Sequence, residues 1–175
     1  ANTYFADFII DNYEDWLNGS VEGPLLSHQL LENKVLPLVG NGQPVFLLVI
    51  DNLRYDQWKI LESTILELFN LVEESDYYSI LPTTTAYSRK AIFSGLLPAE
   101  MERKHPDLWV GEDIDEGKNQ FEDKFLEAHL QRLGMDIRWS YHKIIHVNQG
   151  KNLYNQVNSL LKNDLNVIVY NFVDM

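Results

Sequence analysis

Two long apolar runs, the first uninterrupted and the second near-continuous, stand out in the hydrophobic pattern of the chain. The first, VFLLVI at residues 45–50, ends at Asp51, and the second covers residues 166–173 and ends at Asp174. Runs of this length that are rich in β-branched side chains are typical of strands buried on both faces, in the middle of a parallel sheet with helices on either side. Two weaker segments, 77–81 and 136–147, are also predicted as strands.

Amphipathic segments fill the intervals between the predicted strands. Their apolar residues recur at helical spacing, and glycine or proline marks several of their ends. The predicted helices cover about residues 55–70, 85–92, 121–133 and 152–161, and two more lie within residues 1–39, the first stopping at Gly19 and the second running from about Pro24 to Pro37. Residues 97–117 are acidic and contain proline and glycine, so we expect a long surface excursion there.

This alternation of strands and helices predicts an α/β fold. The order favours a partial doubly wound, mostly parallel sheet over residues 40–175, preceded by a helical linker over residues 1–39. In such sheets the ligand site lies outside the carboxyl ends of the strands. Chemistry is therefore expected at the polar residues that follow the strands.

Asp51, the run Thr83-Thr84-Thr85, and Asp174 occupy those positions. A carboxylate at the end of a rigid strand can hold a divalent cation. A threonine at the start of a helix faces the positive end of the helix dipole, and beside a cation its hydroxyl can lose a proton and attack phosphorus. Arg89 or Lys90, about one turn further on, could reach a phosphate oxygen.

Each of these residues also has a purely structural interpretation. Asp51 or Asn52 suits the N-cap of the next helix equally well. A threonine at the start of the following helix could likewise be a cap, with Ser88 and Arg89 facing water. The five histidines are interpreted as surface or packing residues. Both sets of alternatives stay open on these residues alone.

Composition narrows the possible chemistry. The chain has 14 Lys and Arg against 26 Asp and Glu, a formal charge of −12, which disfavours binding to duplex DNA. It has no cysteine, so a metal site would need Asp, Glu, His or hydroxyl ligands. No apolar run approaches the length of a membrane span, and we expect a cytoplasmic protein that does not bind membranes. Neither a phosphate-binding loop nor a serine-hydrolase motif is present.

Two strings resemble a known family. VIDNLRYDQW at 49–58 and ILPTTTAYSRKAIFSGLLP at 80–98 are similar to the PglZ domain of the alkaline phosphatase superfamily, in the form found in two-component response regulators of Bacteroidetes. The resemblance implies a metal-dependent phosphohydrolase, with phosphodiesters as the first choice of substrate and a threonine nucleophile that opens a helix ending at a glycine ten residues later. It also implies an upstream receiver domain, a cognate histidine kinase and possible homodimer formation.

The resemblance assigns roles residue by residue. Thr85 is the implied nucleophile, with Thr84 in reserve, and Asp51 and Thr85 would hold one of two divalent ions, with zinc the first choice. Asp174 would bind the second ion, and Ser88 or Arg89 would contact the substrate phosphate. The family's histidine four residues after Asp174 lies beyond Met175. We therefore expect the sequence to be about the first half of the catalytic domain, inactive by itself.

Two other functions remain as alternatives. A non-catalytic signalling or interaction module could keep the fold without the chemistry. A receiver-type phosphoacceptor also uses carboxylates at strand ends, but it needs a paired acidic cluster after its first strand and a lysine after its last. The sequence shows neither feature.

Overall fold

The computed structural model describes residues 2–109 and 120–171, and its described sheet has three parallel strands. The strands are β1 (Val45–Ile50), β2 (Trp139–Ile144) and β3 (Leu165–Tyr170), in the spatial order β1-β3-β2. Ile50 and Ile144 are both aligned with Tyr170, so the three strands end together at their carboxyl ends. Any polar residue that follows a strand therefore lies at one common edge.

Seven α-helices occur in the described part of the chain: α1 (Asn2–Asn18), α2 (Tyr55–Leu66), α3 (Thr85–Ser94), α4 (Pro98–Lys104), α5 (Glu122–Arg132), α6 (Val147–Asn155) and α7 (Val157–Leu160). The helices predicted around residues 55–70, 85–92 and 121–133 are confirmed, with ends shifted by a few residues. Among the described residues, none of these helices has both the length and the apolar character to cross a membrane.

Different helices cover the two faces of the sheet. On the inner face, Phe93 of α3 and Phe125 of α5 belong to the same buried apolar cluster as Val167 and Val169 of β3. On the outer face, residues of α6 and α7 form a smaller apolar cluster around Ile168. Helices on both faces of an all-parallel sheet confirm the predicted α/β, doubly wound architecture.

β1 differs from its prediction in one respect. We expected it in the middle of the sheet and buried on both faces, but it is an edge strand of the described sheet. On its outer face Phe46 is 37% and Leu48 is 57% exposed. An apolar run alone does not distinguish a strand covered on one face from one covered on two. β3 is the strand that fits the expected burial.

Residues 24–37 also depart from the predicted second linker helix. They form short 3₁₀ and π turns instead, at Ser27–Gln29, Leu31–Val35 and Leu36–Leu38. The Ser27 N–H donates to O of Tyr78, and the Ser27 hydroxyl accepts from the Ile80 N–H. These bonds to a distant segment replace the bonds of a regular helix.

The predicted strand at residues 77–81 is absent from the described structure as a strand. This segment makes a single parallel bridge, between Tyr78 and Leu26. A short apolar segment lacks a ladder when its neighbour is an irregular turn. The segment lies shortly before α3, which begins at Thr85.

Asn166 is a fully buried polar residue and the second residue of β3. Its Oδ1 accepts from the Ser140 hydroxyl at 2.8 Å and from Nδ2 of Asn163 at 2.9 Å. Its Nδ2 donates to O of Leu160 at 3.0 Å. These three hydrogen bonds join the amide to β2 and to the connection that leads into β3. Asn166 therefore links the central strand to its neighbour β2 and to the preceding connection.

Gly95 ends α3 in a conformation and a space that only glycine fits. Its φ is +62°, and a Cβ built there would lie 2.3 Å from Cε1 of the His129 ring and 2.8 Å from Nη2 of Arg132. The ten-residue interval from Thr85 to Gly95, noted in the sequence, is therefore the length of one helix plus its C-terminal glycine.

Gly95→Ala should destabilise the protein more than Gly134→Ala does. Both glycines have a positive φ, but no atom lies within 4 Å of a Cβ at Gly134. Gly134→Ala should lose about 1–2 kcal/mol from backbone conformation alone, whereas overpacking should add about 1–3 kcal/mol at Gly95. Urea unfolding of both variants measures the difference, and equal losses would contradict the packing argument.

The lowered pKa of His129 should make the folded protein less stable in mild acid than at neutral pH. His129 is fully buried, its Nδ1 donates to O of Phe93 at 3.0 Å, and burial lowers its pKa, with the Arg132 charge acting in the same direction. The unfolded chain therefore binds a proton at a higher pH than the folded protein. The free energy of unfolding should decrease as the pH falls through about 6.5.

His129→Gln should show a smaller decrease in the free energy of unfolding between pH 7.5 and 5.5 than the wild type. Urea titrations at both pH values measure the two slopes. A variant whose slope equals that of the wild type would show that His129 is not responsible.

Candidate active site

Asp51 lies at the carboxyl edge of the sheet, immediately after β1. Its N–H continues the ladder by donating to O of Tyr170 at 3.0 Å. Asn52 then adopts a left-handed conformation, with φ of 58°, and α2 starts only at Tyr55 with Arg54 at the N-cap position. The capping alternative for Asp51 and Asn52 is therefore wrong.

Thr85 is the first residue of α3, and Thr84 occupies the N-cap position. The Thr84 side chain does not make the capping hydrogen bond, so the cap interpretation is not borne out for that residue. Its carbonyl instead accepts the N–H of Ser88 at 2.9 Å and the Ser88 hydroxyl at 3.1 Å. Thr85 is half-buried at the end of the helix whose dipole is positive.

Arg89 links α3 to the ends of two strands. It is 3% exposed, so the alternative in which it faces water is wrong. Its Nη1 donates to Oδ2 of Asp51 at 2.8 Å and to Oδ1 of Asn171 at 2.7 Å. Asn171 directly follows β3. Arg89 therefore brings the helix that starts at Thr85 against the residue that follows β1.

Glu122 is the second anchor of Arg89. It is 1% exposed, in the first turn of α5, and its Oε1 accepts from Nε of Arg89 at 2.5 Å. Its Oε2 accepts from the Tyr141 hydroxyl at 2.5 Å and lies 3.6 Å from Nζ of Lys143. We call the six residues joined in this way the strand-end cluster: Asp51, Arg89, Glu122, Tyr141, Lys143 and Asn171.

Burial shifts the pKa values of two residues of the cluster, Tyr141 and Lys143. It raises the pKa of the Tyr141 hydroxyl, and the neighbouring Glu122 carboxylate raises it further. It also lowers the pKa of Lys143, although Glu122 opposes the shift. Burial similarly lowers the pKa of Lys90, whose Nζ lies 5.5 Å from the ring centroid of Trp109.

Most of the cluster was not predicted from the sequence. Glu122 stands in the first turn of a helix next to Asp123, where acidic residues are ordinary because they complement the helix dipole. Tyr141 and Lys143 alternate on one face of β2, and that alternation is the available signal that both point to the inner side. No local pattern identifies Asn171 as a partner of Arg89.

The predicted site residues are brought together only in part. Asp51 and Arg89 are in contact, and Thr85 lies one helical turn before Arg89, on the same side of α3. The Ser88 hydroxyl bonds to O of Thr84 rather than to the cluster. Asp174 lies outside the described residues.

The described residues match a divalent cation in ligand type but not in number. Asp51 and Thr85 offer a carboxylate and a hydroxyl, oxygen ligands of the kind that such ions take. Arg89 uses only Oδ2 of Asp51, so its contact does not occupy Oδ1. Within residues 2–109 and 120–171, however, no group of three or more Asp, Glu or His is placed to hold a metal ion.

Comparison with known families gives an independent result. The family model of the BREX system PglZ alkaline phosphatase-like domain matches residues 30–175. This match indicates a phosphohydrolase-type fold, and alkaline phosphatase-like proteins generally bind divalent metals. No curated protein matches the chain.

Arg89→Met should destabilise the protein far more than Arg54→Met does. Removing Arg89 leaves Glu122 buried without its closest cation, which should reduce the free energy of unfolding by about 3–5 kcal/mol. Arg54 makes a comparable pair with Asp56, at 2.8 Å, but both side chains are exposed and little change is expected. Urea unfolding compares the two, and similar losses would contradict the importance of burial.

Proposed function

The chain belongs to the PglZ alkaline phosphatase-like family, and from this premise we propose that it is part of a metal-dependent phosphohydrolase, a phosphodiesterase with Thr85 as its nucleophile. The contact that carries the proposal is the hydrogen bond between Nη1 of Arg89 and Oδ2 of Asp51, at 2.8 Å. It joins the helix that begins at Thr85 to the strand that ends at Asp51.

Helix geometry places Thr85 on the same side of α3 as Arg89, the residue that makes this contact. Residues four apart lie on the same side of an α-helix, so Thr85 and Arg89 share one side of α3. Because Arg89 faces Asp51, the threonine one turn earlier is on the side that faces the carboxyl edge of the sheet. This arrangement supports a nucleophile and a carboxylate acting at one place.

In the proposed reaction the Thr85 hydroxyl attacks the phosphorus of a phosphodiester. The bond from Oγ1 to phosphorus forms, the bond from phosphorus to one alcohol breaks, and the proton lost by Thr85 reaches the leaving alcohol through solvent. Water then attacks the phosphothreonine, which releases a phosphate monoester and restores the hydroxyl. The amino end of α3 stabilises the negative charge that develops on the phosphoryl oxygens.

Asp51 and Thr85 would hold one divalent ion and Asp174 a second, with zinc as the first candidate. Bound ions would supply Lewis-acid stabilisation of the phosphoryl group and lower the pKa of the nucleophilic hydroxyl. Ser88 or Arg89 would contact the substrate phosphate. Ser88 is half-buried and would exchange its bond to O of Thr84 for that contact, while Arg89 already engages Asp51.

The regulatory setting is also part of the proposal. The resemblance at residues 49–58 and 80–98 supports a cytoplasmic response regulator, in which a histidine kinase phosphorylates an upstream receiver domain. Formation of a homodimer would then couple the receiver to the phosphohydrolase.

A non-catalytic module is the second candidate function. It is favoured by one observation: Oδ2 of Asp51, an oxygen that a metal ligand would offer to an ion, accepts a hydrogen bond from Arg89 instead. In that case the fold would serve signalling or protein interaction without phosphoester chemistry.

Thr85→Val should abolish hydrolysis of an aryl phosphodiester. The assay uses the full-length protein, bis(p-nitrophenyl) phosphate and added zinc chloride. Loss of a nucleophile should reduce kcat by at least about a thousandfold. Thr83→Val, an exposed position in the same run, is the matched control and should keep the wild-type rate.

The other variants and the wild type separate the remaining possibilities. If Thr84→Val loses activity and Thr85→Val retains it, the reserve residue is the nucleophile. An active Thr85→Val together with an active Thr84→Val would rule out both of the proposed nucleophiles. A wild type that is inactive with zinc and with manganese would favour the non-catalytic module.

A further inference from the structure

We propose that Glu122 is a positioning residue of the candidate active site. Through Arg89 it fixes the Asp51 carboxylate and the orientation of the helix that begins at Thr85. This inference rests on the proposed function in one respect, namely that Asp51 is a metal ligand and Thr85 the nucleophile. The role assigned to Glu122 is indirect, since it contacts Arg89, Tyr141 and Lys143 rather than either of those residues.

Glu122 is held more firmly than a surface carboxylate. It is 1% exposed, and both of its oxygens accept hydrogen bonds, from Arg89 and from Tyr141, at 2.5 Å each. A buried carboxylate needs such donors because the loss of its hydration is otherwise very unfavourable. These bonds fix Glu122 relative to both α3 and β2.

The backbone conformation of the residue before Glu122 also indicates that the position of Glu122 is fixed by its surroundings. Phe121 has a φ of 65°, a left-handed conformation that is unfavourable for a residue with a Cβ. Such conformations persist where the surrounding contacts determine the structure. Here the strained residue is the N-cap of α5 and is followed directly by the buried carboxylate. The chain therefore adopts an unfavourable conformation where it delivers Glu122 to the cluster.

Arg89 transmits this position to the edge of the sheet. Its Nε faces Glu122, while its Nη1 reaches both Asp51 and Asn171. The guanidinium is planar and rigid, so fixing one side of the fork fixes the direction of the other. A lysine would carry the same charge but could not bridge Glu122 and Asp51 in this way.

Two consequences follow for the proposed chemistry. Oδ2 of Asp51 accepts a hydrogen bond from Arg89, which would not itself bind the metal ion. Proteins orient metal-binding carboxylates by hydrogen bonds of this kind. Because Arg89 is part of α3, its attachment to Glu122 also limits rotation of the helix and therefore the direction of Thr85. Neutralising Glu122 should disturb both effects without removing a proposed ligand.

The test compares Glu122→Gln with Glu127→Gln. The two residues lie in the same helix, but in the described part of the chain Glu127 pairs with Lys124, at 3.1 Å, with both side chains exposed. Calorimetric titration of each folded, full-length protein with zinc chloride measures affinity, and circular dichroism verifies folding at the temperature used. Glu122→Gln should weaken zinc binding by about tenfold, the lower end of the range for losing a direct partner of a metal ligand, because Glu122 acts on Asp51 through Arg89. Glu127→Gln should bind like the wild type.

A second variant covers the case in which Glu122→Gln does not fold. Arg89→Lys retains the positive charge next to Glu122 and should weaken zinc binding to a similar extent, because the bridge to Asp51 is lost. Wild-type affinity in either folded variant would overturn the proposal. A purely structural role would lower the unfolding temperature of these variants but leave zinc affinity of the folded protein unchanged.

A measurement without metal separates this inference from the proposed function. In amide ¹⁵N–¹H spectra of the metal-free protein, Glu122→Gln should shift the signals of Asp51 and Thr85, and Glu127→Gln should not. Unchanged signals at both residues would overturn the positioning role. If the wild type binds no zinc but those signals move, the positioning role stands and the metal-dependent function fails.

Discussion

The buried pair of Arg89 and Glu122 is the interaction on which the arrangement of the sheet edge depends. Two charges removed from water are stable only when each finds its partner and its remaining hydrogen bonds. Nη1 of Arg89 finds its partners in groups that follow β1 and β3, and Glu122 finds one in a group on β2. Among the described residues, Nη2 of Arg89 is buried without a hydrogen-bond partner. One charge pair therefore connects all three strands with α3 and α5. Alternative positions of these helices would separate the charges in an apolar surrounding.

Much of the fold could be predicted from the sequence because its signals are local. A six-residue apolar run is sufficient to identify a strand, and helical spacing followed by Gly95 or Gly134 is sufficient to locate a helix and its end. The position of β1 at an edge could not be predicted, since burial on the second face depends on distant parts of the chain. The irregular turns after Pro24 likewise depend on bonds to residues 78 and 80.

The candidate site also divides into residues with a local sequence signal and residues whose role depends on the tertiary fold. Asp51 and Thr85 could be proposed because strand ends and helix starts are recognisable in a sequence, although their shared chemistry remains a proposal. The role of Arg89 was predicted as contact with a phosphate, and the structure places its side chain among Asp51, Asn171 and Glu122. Glu122 is 33 positions from Arg89. A pairing over that distance depends on the tertiary fold, and one charged residue gives no sign of it.

Asn166 has a consequence for how the sheet assembles. The alternating valines of β3 would pack almost equally well if the strand slid along its neighbours by two residues, since their side chains would keep the same faces. Such a slide would move the amide away from Ser140, Asn163 and the Leu160 carbonyl, leaving a polar group unsatisfied in the interior. The least hydrophobic position of the strand is thus the one that discriminates between competing alignments.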